Sequence, residues 1–430
     1  MKKVFTYLGW AAVACGILLL IAVVGIGLFT RTDRFRELLR EQVVSTLNSS
    51  FRGDVSLGRV EGSIWGHLTL YDFVLRYQGT EVLRVPKLTA SYVLWPLLHR
   101  TVQVQRVEGF GPVAHLRQDA EGRWNVLEAL ATDTPEPEGA TAEEGTLTVL
   151  LDTVVLQNGR IDIVPAGANR TYQLVQTSLD AQIAVLPSGL DAQVRDLTTH
   201  VVAEGLPRLR VSAVLAYAGS QEPAAVEVNV LTLDTHQSQV RLVGEITNLA
   251  TLNTRAELAI RRLATADLLQ LVPDWPLAQD VSGSLHLQGP LADLHGTLAL
   301  TAADARVEAT WQADVSQEVP QYVGTVTVSG FDLQKLVREQ NLAGILRGTV
   351  QVRGAGTAIA ELTGEANLHV QALRVGNWQV GDVEASGSVA QTLGKVRGKV
   401  RGDLGHATWE GETTLTEAPR YTLALSVEHL

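Results

Sequence analysis

Apolar and polar residues alternate with a period of two along most of this chain, a pattern that is typical of β-strands. Val226 and Val228, for example, alternate with Glu227 and Asn229. Such strands place one apolar and one polar face on a sheet. The positions that we predict to share the apolar face are Val226, Val228, Val230, Leu258, Ile260, Leu285, Leu287, Leu298, Leu300, Val326, Val328, Val350, Val352, Leu368, Val370, Leu423, Leu425 and Val427.

The strands are not separated by helical windows long enough for parallel crossover connections, so the pattern predicts a mainly β protein with an antiparallel sheet. The apolar face of that sheet has to be covered. Burying each of the eighteen side chains stabilises by about 1.5–3 kcal/mol, so leaving all of them in water would forgo about 30–50 kcal/mol. Two solutions remain open: a second sheet packs on the first in a sandwich, or lipid acyl chains fill the space.

The first thirty residues have a different character. Val4–Phe29 contains no charged residue and, as a helix, would extend about 39 Å, enough to cross a membrane. Tyr7 and Trp10 stand where interfacial aromatic residues are common. We therefore predict a transmembrane anchor at residues 1–31. The alternative, a cleaved signal peptide, is disfavoured because its best cleavage site lies inside the apolar run.

The rest of the chain divides at an acidic, proline-rich linker over residues 132–145. We predict that residues 32–131 form an N-terminal α+β module that begins with a short amphipathic helix, and that residues 146–430 form a longer β region. Within the β region, Asp267–Gly289 aligns without gaps to Asp332–Gly354, with eight of 23 positions identical. This 65-residue repeat (267–331 and 332–396) favours a structure that grows along one axis.

Composition excludes several classes of function. A net charge of −11 argues against nucleic-acid binding, and a single cysteine, Cys15, excludes a disulfide framework and a zinc–thiolate cluster. The ten histidines are scattered, and no nucleophile elbow, Walker loop or zinc-protease motif is present. We expect no catalytic activity, no metal and no cofactor.

Three segments resemble a known family. Val60–Leu75 and Val104–Leu130 are similar to the glycine-delimited strands of the AsmA-like superfamily, and Asp119, Gly122, Trp124 and Asn125 match its "Asp-x-x-Gly-x-Trp-Asn" element. Val154–Ile163 is similar to the hairpin that follows the linker in that family. Together with the anchor, these segments resemble most closely the TamB branch, the inner-membrane subunit of the translocation and assembly module.

This resemblance implies a single-pass inner-membrane protein whose periplasmic body is an elongated, curled antiparallel β-sheet, a β-taco or repeating β-groove with a hydrophobic interior. It implies phospholipid transport toward the outer membrane. An alternative is a scaffold that assembles outer-membrane barrels or autotransporters beside an Omp85- or TamA-like barrel partner, although the C-terminal region that would meet this partner is not recognisable here. A third possibility, outside the family, is a cell-surface β-sandwich adhesin or hydrolase.

Overall fold

The computed structural model describes residues 37, 40–42, 44–45, 48–49, 51–63, 66–131, 148–167, 170–249, 251–317, 319–336, 342–355, 362–390, 393–402, 405–414 and 420–428. The predicted anchor with Tyr7 and Trp10, and the linker at 132–145, lie outside these residues. Within the described part, no helix has the length and apolar character that a membrane span requires.

The protein is mainly β, with 71% strand and 9% helix, as the alternation predicted, and its strands belong to one mixed sheet of 23 strands. The chain divides into two compact units, Met1–Val202 and Ala203–Leu430. The strands of unit 1 are β1 (Asp54–Ser56), β2 (Arg59–Ser63), β3 (His67–Tyr77), β4 (Thr80–Val93), β5 (Thr101–Phe110), β6 (Val113–Arg117), β7 (Thr148–Val164), β8 (Tyr172–Leu186) and β9 (Gly189–Val202).

The prediction of a wholly antiparallel sheet is wrong in unit 1, because β7 pairs in parallel with both β5 and β6. A parallel pair needs a crossover connection of a dozen or more residues. Residues 118–147 supply that length, and they include the short helix α1 (Asn125–Leu130). The parallel pairing also joins β7–β9 to the N-terminal module, whereas the sequence had suggested that they belong with the later strands.

The core of unit 1 forms where α1 and β1 pack on β3. Val55, Leu75 and Ala129 are buried there, with Phe73 and Leu83 against them. Among the large side chains of the described residues, the two most completely buried are Leu75 on β3 and Val82 on β4. This small aliphatic core holds the N-terminal module together by burial of apolar surface.

Unit 2 is a meander in which each strand pairs antiparallel with the next one along the chain. Its strands are β10 (Leu209–Ala218), β11 (Ala225–Asp234), β12 (Gln239–Thr247), β13 (Asn253–Leu263), β14 (Val281–Gly289), β15 (Leu294–Ala302), β16 (Ala305–Asp314), β17 (Gln321–Asp332), β18 (Leu342–Ala355), β19 (Leu362–Val375), β20 (Trp378–Ala390), β21 (Leu393–Gly402), β22 (Gly405–Thr414) and β23 (Tyr421–Glu428).

The two aligned repeat segments form the same elements in the same order. Helix α2 (Thr265–Leu271) precedes β14, and helix α3 (Leu333–Leu336) precedes β18. Each helix follows a register shift near the end of the preceding strand. In one copy the shift lies opposite Val281–Gly283, and in the other it lies opposite Leu346–Gly348. These two segments are aligned in the repeat, so the two copies share the register shift as well as the order of their elements.

Candidate functional site

Strand pairing in unit 2 collects apolar residues on one face of the sheet. Residues that pair directly in an antiparallel sheet point to the same side, so the register can be followed from strand to strand. One such row joins Leu258, Leu285 and Leu298 and continues through Val326 and Val350 to Leu423. We call the side of β10–β23 that carries this row the apolar face, and the other side the polar face.

Three adjacent rows of the apolar face cross all fourteen strands of unit 2. On β13 the three rows pass through Ala256, Leu258 and Ile260. On each further strand, a row continues at the residue that pairs directly with its member on the preceding strand. The residues at these positions are Leu, Val, Ile, Ala, Gly, Trp, Thr and Tyr, and none of them carries a charge. At a strand spacing of about 4.8 Å, the rows are about 60 Å long.

The register also shows where the predicted face residues lie. Of the eighteen, Val230 alone is on the polar face, because a β-bulge at Asn229 interrupts the alternation of β11. Val228 pairs with Leu215, whereas Val230 pairs with Val214 on the opposite side. Leu231 takes the apolar position that strict alternation had assigned to Val230. The sequence carries no clear signal of this bulge, since Val and Leu occupy both sides of it.

The apolar face is only partly covered. The predicted residues from Val226 to Val370 are half-buried, and Leu423 and Leu425 on β23 are 66% and 65% exposed. A β-sandwich would bury such side chains between two sheets. The described strands instead form a single sheet. The face therefore presents aliphatic surface that another apolar group could cover.

One border of the apolar face has a local cover. The connection between α2 and β14 places Trp275 and Leu277 against the buried residues Val281, Ala302 and Ala305. These three residues lie at strand ends, beyond the three rows. The connection therefore forms a side wall at this border of the apolar face.

A hydrogen-bond network holds that wall in place. Asp267 on α2 is 6% exposed and accepts hydrogen bonds from the hydroxyl groups of Thr235 and Ser238, the latter at 2.5 Å. The Ser238 hydroxyl in turn accepts the backbone N–H of Ala264 at 2.9 Å. A buried carboxylate needs such donors, so the network ties α2 to the turn between β11 and β12.

A second carboxylate fixes the start of α2. Asp280 accepts the backbone N–H of Thr265 at 2.9 Å and the side chain of Arg262 at 2.7 Å. The hydrogen bond from Thr265 is the main reason that the pKa of Asp280 lies below its ordinary value, and the Arg262 guanidinium adds to the effect. Both groups favour the ionised carboxylate.

Aromatic rings cover glycines on the apolar face. Trp311 on β16 lies over Gly296 on β15, and Trp409 on β22 lies over Gly398 on β21. In each case the tryptophan and the glycine are directly paired, and a Cβ atom on the glycine would overlap the indole ring. Because the glycine has no side chain, the indole ring can pack directly against the backbone of the neighbouring strand.

A cavity in unit 2 lies on the polar face. It has a volume of about 970 Å³ and crosses β18–β23. Its lining consists of two rows of the polar face and the apolar-face row that runs between them. This middle row includes Leu368 and Leu425, the two of the eighteen predicted residues that contribute to the cavity. One ion pair in its lining joins Lys399 to Glu384 at 2.6 Å. Lys399 donates a hydrogen bond to Glu384 and thereby lowers the pKa of this carboxyl.

The family-like element of unit 1 has a structural role. The Asp119 carboxylate accepts the backbone N–H groups of Glu121 and Arg123, and Gly122 has a φ of +83° in the turn between them. Asn125 bridges to the backbone of His115 and Arg117. These bonds close a turn. Among the described residues, no cluster of three or more His, Cys, Asp or Glu side chains could hold a metal ion.

Comparison with known proteins adds no assignment: no family model, no curated protein and no solved structure matches this chain.

Proposed function

We propose that the apolar face of unit 2 shelters the acyl chains of phospholipids, and that the protein is a periplasmic lipid-transfer conduit anchored in the inner membrane. The observation that carries the proposal is the uncharged character of three adjacent rows across fourteen strands, on a face that is only half-buried. The resemblance to the TamB branch and the apolar run Val4–Phe29 support the location and the anchor.

The energetics favour lipid as the occupant. Each methylene group that leaves water contributes about 0.8 kcal/mol, and an acyl chain lying along the rows would remove water from both surfaces. A path of about 60 Å exceeds the length of one lipid, so several lipids would lie along it. Their headgroups would remain in water at the border of the face.

Substitutions on neighbouring residues test the proposal. Leu285→Asp and Val350→Asp place a charge in the central row, and each should reduce the phospholipid that co-purifies with the protein. His286→Asp and Gln351→Asp are the matched controls, because each adds the same charge one residue away on the polar face. Mass spectrometry of lipids extracted from gently purified protein gives the result. Equal lipid content in all four variants would refute the proposal.

A crosslinking experiment avoids substitutions that introduce charge. A photoreactive amino acid at Val350 should form lipid adducts in cells, whereas the same group at Thr349, in the polar-face cavity, should not. This comparison also separates the apolar face from the cavity. Lipid adducts at Thr349 alone would contradict the assignment.

A further inference from the structure

Unit 1 presents an exposed apolar turn that plays no part in the proposed lipid path. A 3₁₀ turn, Trp95–His99, connects β4 to β5. Trp95 is 74% exposed, Leu98 is 72% exposed and Leu97 is 47% exposed. Single exposed apolar residues are common on protein surfaces. A tryptophan and two leucines within one short turn form a contiguous apolar patch, and such patches are typical of interaction sites.

The backbone holds this turn in a defined conformation. The N–H of Leu97 donates to the carbonyl of Leu94 at 3.1 Å, and the N–H of Arg100 donates to the carbonyl of Leu97 at 3.0 Å. Pro96 restricts φ at the start of the turn, and Arg100 ends it in the left-handed region with a φ of 55°. The apolar side chains are therefore presented by an ordered structure.

The chemistry of the turn fits the surface of a lipid bilayer. Tryptophan is enriched at the boundary between headgroups and acyl chains, and leucine gains free energy by entering the acyl region. His99 and Arg100 follow directly, and both are exposed. A guanidinium at this position can contact lipid phosphate groups while the apolar side chains lie deeper.

The helical residues that precede β1 approach from a defined direction. Asn48 bonds to both backbone groups of Val55, and the Arg40 side chain donates to the carbonyl of Leu57 at 3.0 Å. Val55 pairs with Leu75 near the end of β3, and from Val55 to Leu57 the chain runs antiparallel to β3. The contacts of Asn48 with Val55 and of Arg40 with Leu57 therefore lead away from that end of β3.

The opposite end of β3 is the one that carries the turn. β3 begins at His67, which pairs with Ser91, and β4 continues from there to the turn at Trp95. The step from Asn48 to Arg40 therefore leads toward the turn. In the sequence, the apolar run Val4–Phe29 ends eleven residues before Arg40, so a bilayer that holds this run would be tethered close to Arg40.

We propose that the turn Trp95–His99 is a membrane-contact site, in which Trp95 and Leu98 insert into the interface of a phospholipid bilayer. This contact is separate from the apolar face of unit 2 and does not depend on lipid transfer by that face. It would fix the end of unit 1 against the membrane.

The experiment uses the full chain in vesicles of phosphatidylcholine and phosphatidylglycerol. Cys15→Ser removes the native thiol, and Leu98→Cys provides a site for an environment-sensitive fluorophore. The matched control is Thr80→Cys, which is exposed at the other end of β3 and β4. Spin-labelled lipids with the label close to the headgroup quench fluorophores that enter the interface.

The Leu98 probe should show a blue-shifted emission and strong quenching by the spin-labelled lipid, while the Thr80 probe should show the emission of a fluorophore in water. Adding Trp95→Asp to the Leu98→Cys chain should reduce the quenching. A Leu98 probe that behaves like the Thr80 probe would overturn the proposal. Because neither probe lies on unit 2, this outcome would leave the lipid-transfer proposal untouched.

Discussion

The contact between Trp311 and Gly296 makes a quantitative prediction about the apolar face. Gly296→Ala adds a Cβ atom that would lie 2.6 Å from the indole nitrogen and still closer to two ring carbons, so the ring has to move. Overpacking of this kind costs about 1–3 kcal/mol. Gly364→Ala is the matched control, because its Cβ would meet its nearest neighbour, the carbonyl oxygen of Gln351, at an ordinary 3.4 Å.

The comparison isolates the steric effect. Replacing glycine by alanine in a strand gains about 0.5–1 kcal/mol from backbone entropy, and this gain is common to both variants. The difference in their free energies of unfolding should therefore be about 1–3 kcal/mol, with Gly296→Ala the less stable. Equilibrium unfolding in urea, followed by circular dichroism, measures this difference.

A double variant provides the decisive control. In a Trp311→Ala background the ring is absent, so Gly296→Ala should no longer destabilise the protein relative to Gly364→Ala. If Gly296→Ala is as stable as Gly364→Ala in the natural background, the indole does not lie over Gly296.

Three further predictions concern unit 2. Ser238→Ala should destabilise it by about 2–4 kcal/mol, because the buried carboxylate of Asp267 loses one of its two hydroxyl donors and the backbone N–H of Ala264 loses its acceptor. Ser282→Ala breaks a neutral hydroxyl pair and should cost about 0.5–1.5 kcal/mol in the same urea experiment. Asp280→Asn should lower the melting temperature above pH 3.8, and the difference from the natural protein should disappear as the pH falls below this value. The reason is that the pKa of Asp280 is depressed in the folded state, so protonation of its carboxylate removes the stabilisation that the carboxylate provides. A difference in melting temperature that persists in acid would contradict this. Val228→Asp should reduce co-purifying phospholipid, and Val230→Asp should not, because the bulge places them on opposite faces.

Much of the candidate site could be predicted from local alternation. The period of two assigned Leu258, Leu285 and Val350 to one face, and strand pairing places them there. The prediction failed at Val230 because a bulge adds one residue to β11 and reverses the alternation beyond it. Whether a bulge forms depends on how two strands fit together, which the pattern within one strand does not contain.

The mainly β class and the two-sided character of the strands follow from the amino-acid sequence alone, because side-chain direction in an extended chain is a local property. The choice of neighbouring strands became visible in the folded protein: β7 pairs in parallel with β5 and β6, and the strands of unit 2 form a single meander. The partial exposure of the apolar face is likewise a property of the fold. Pairing and cover depend on contacts between residues far apart in the chain, and these are selected by the packing of the whole molecule.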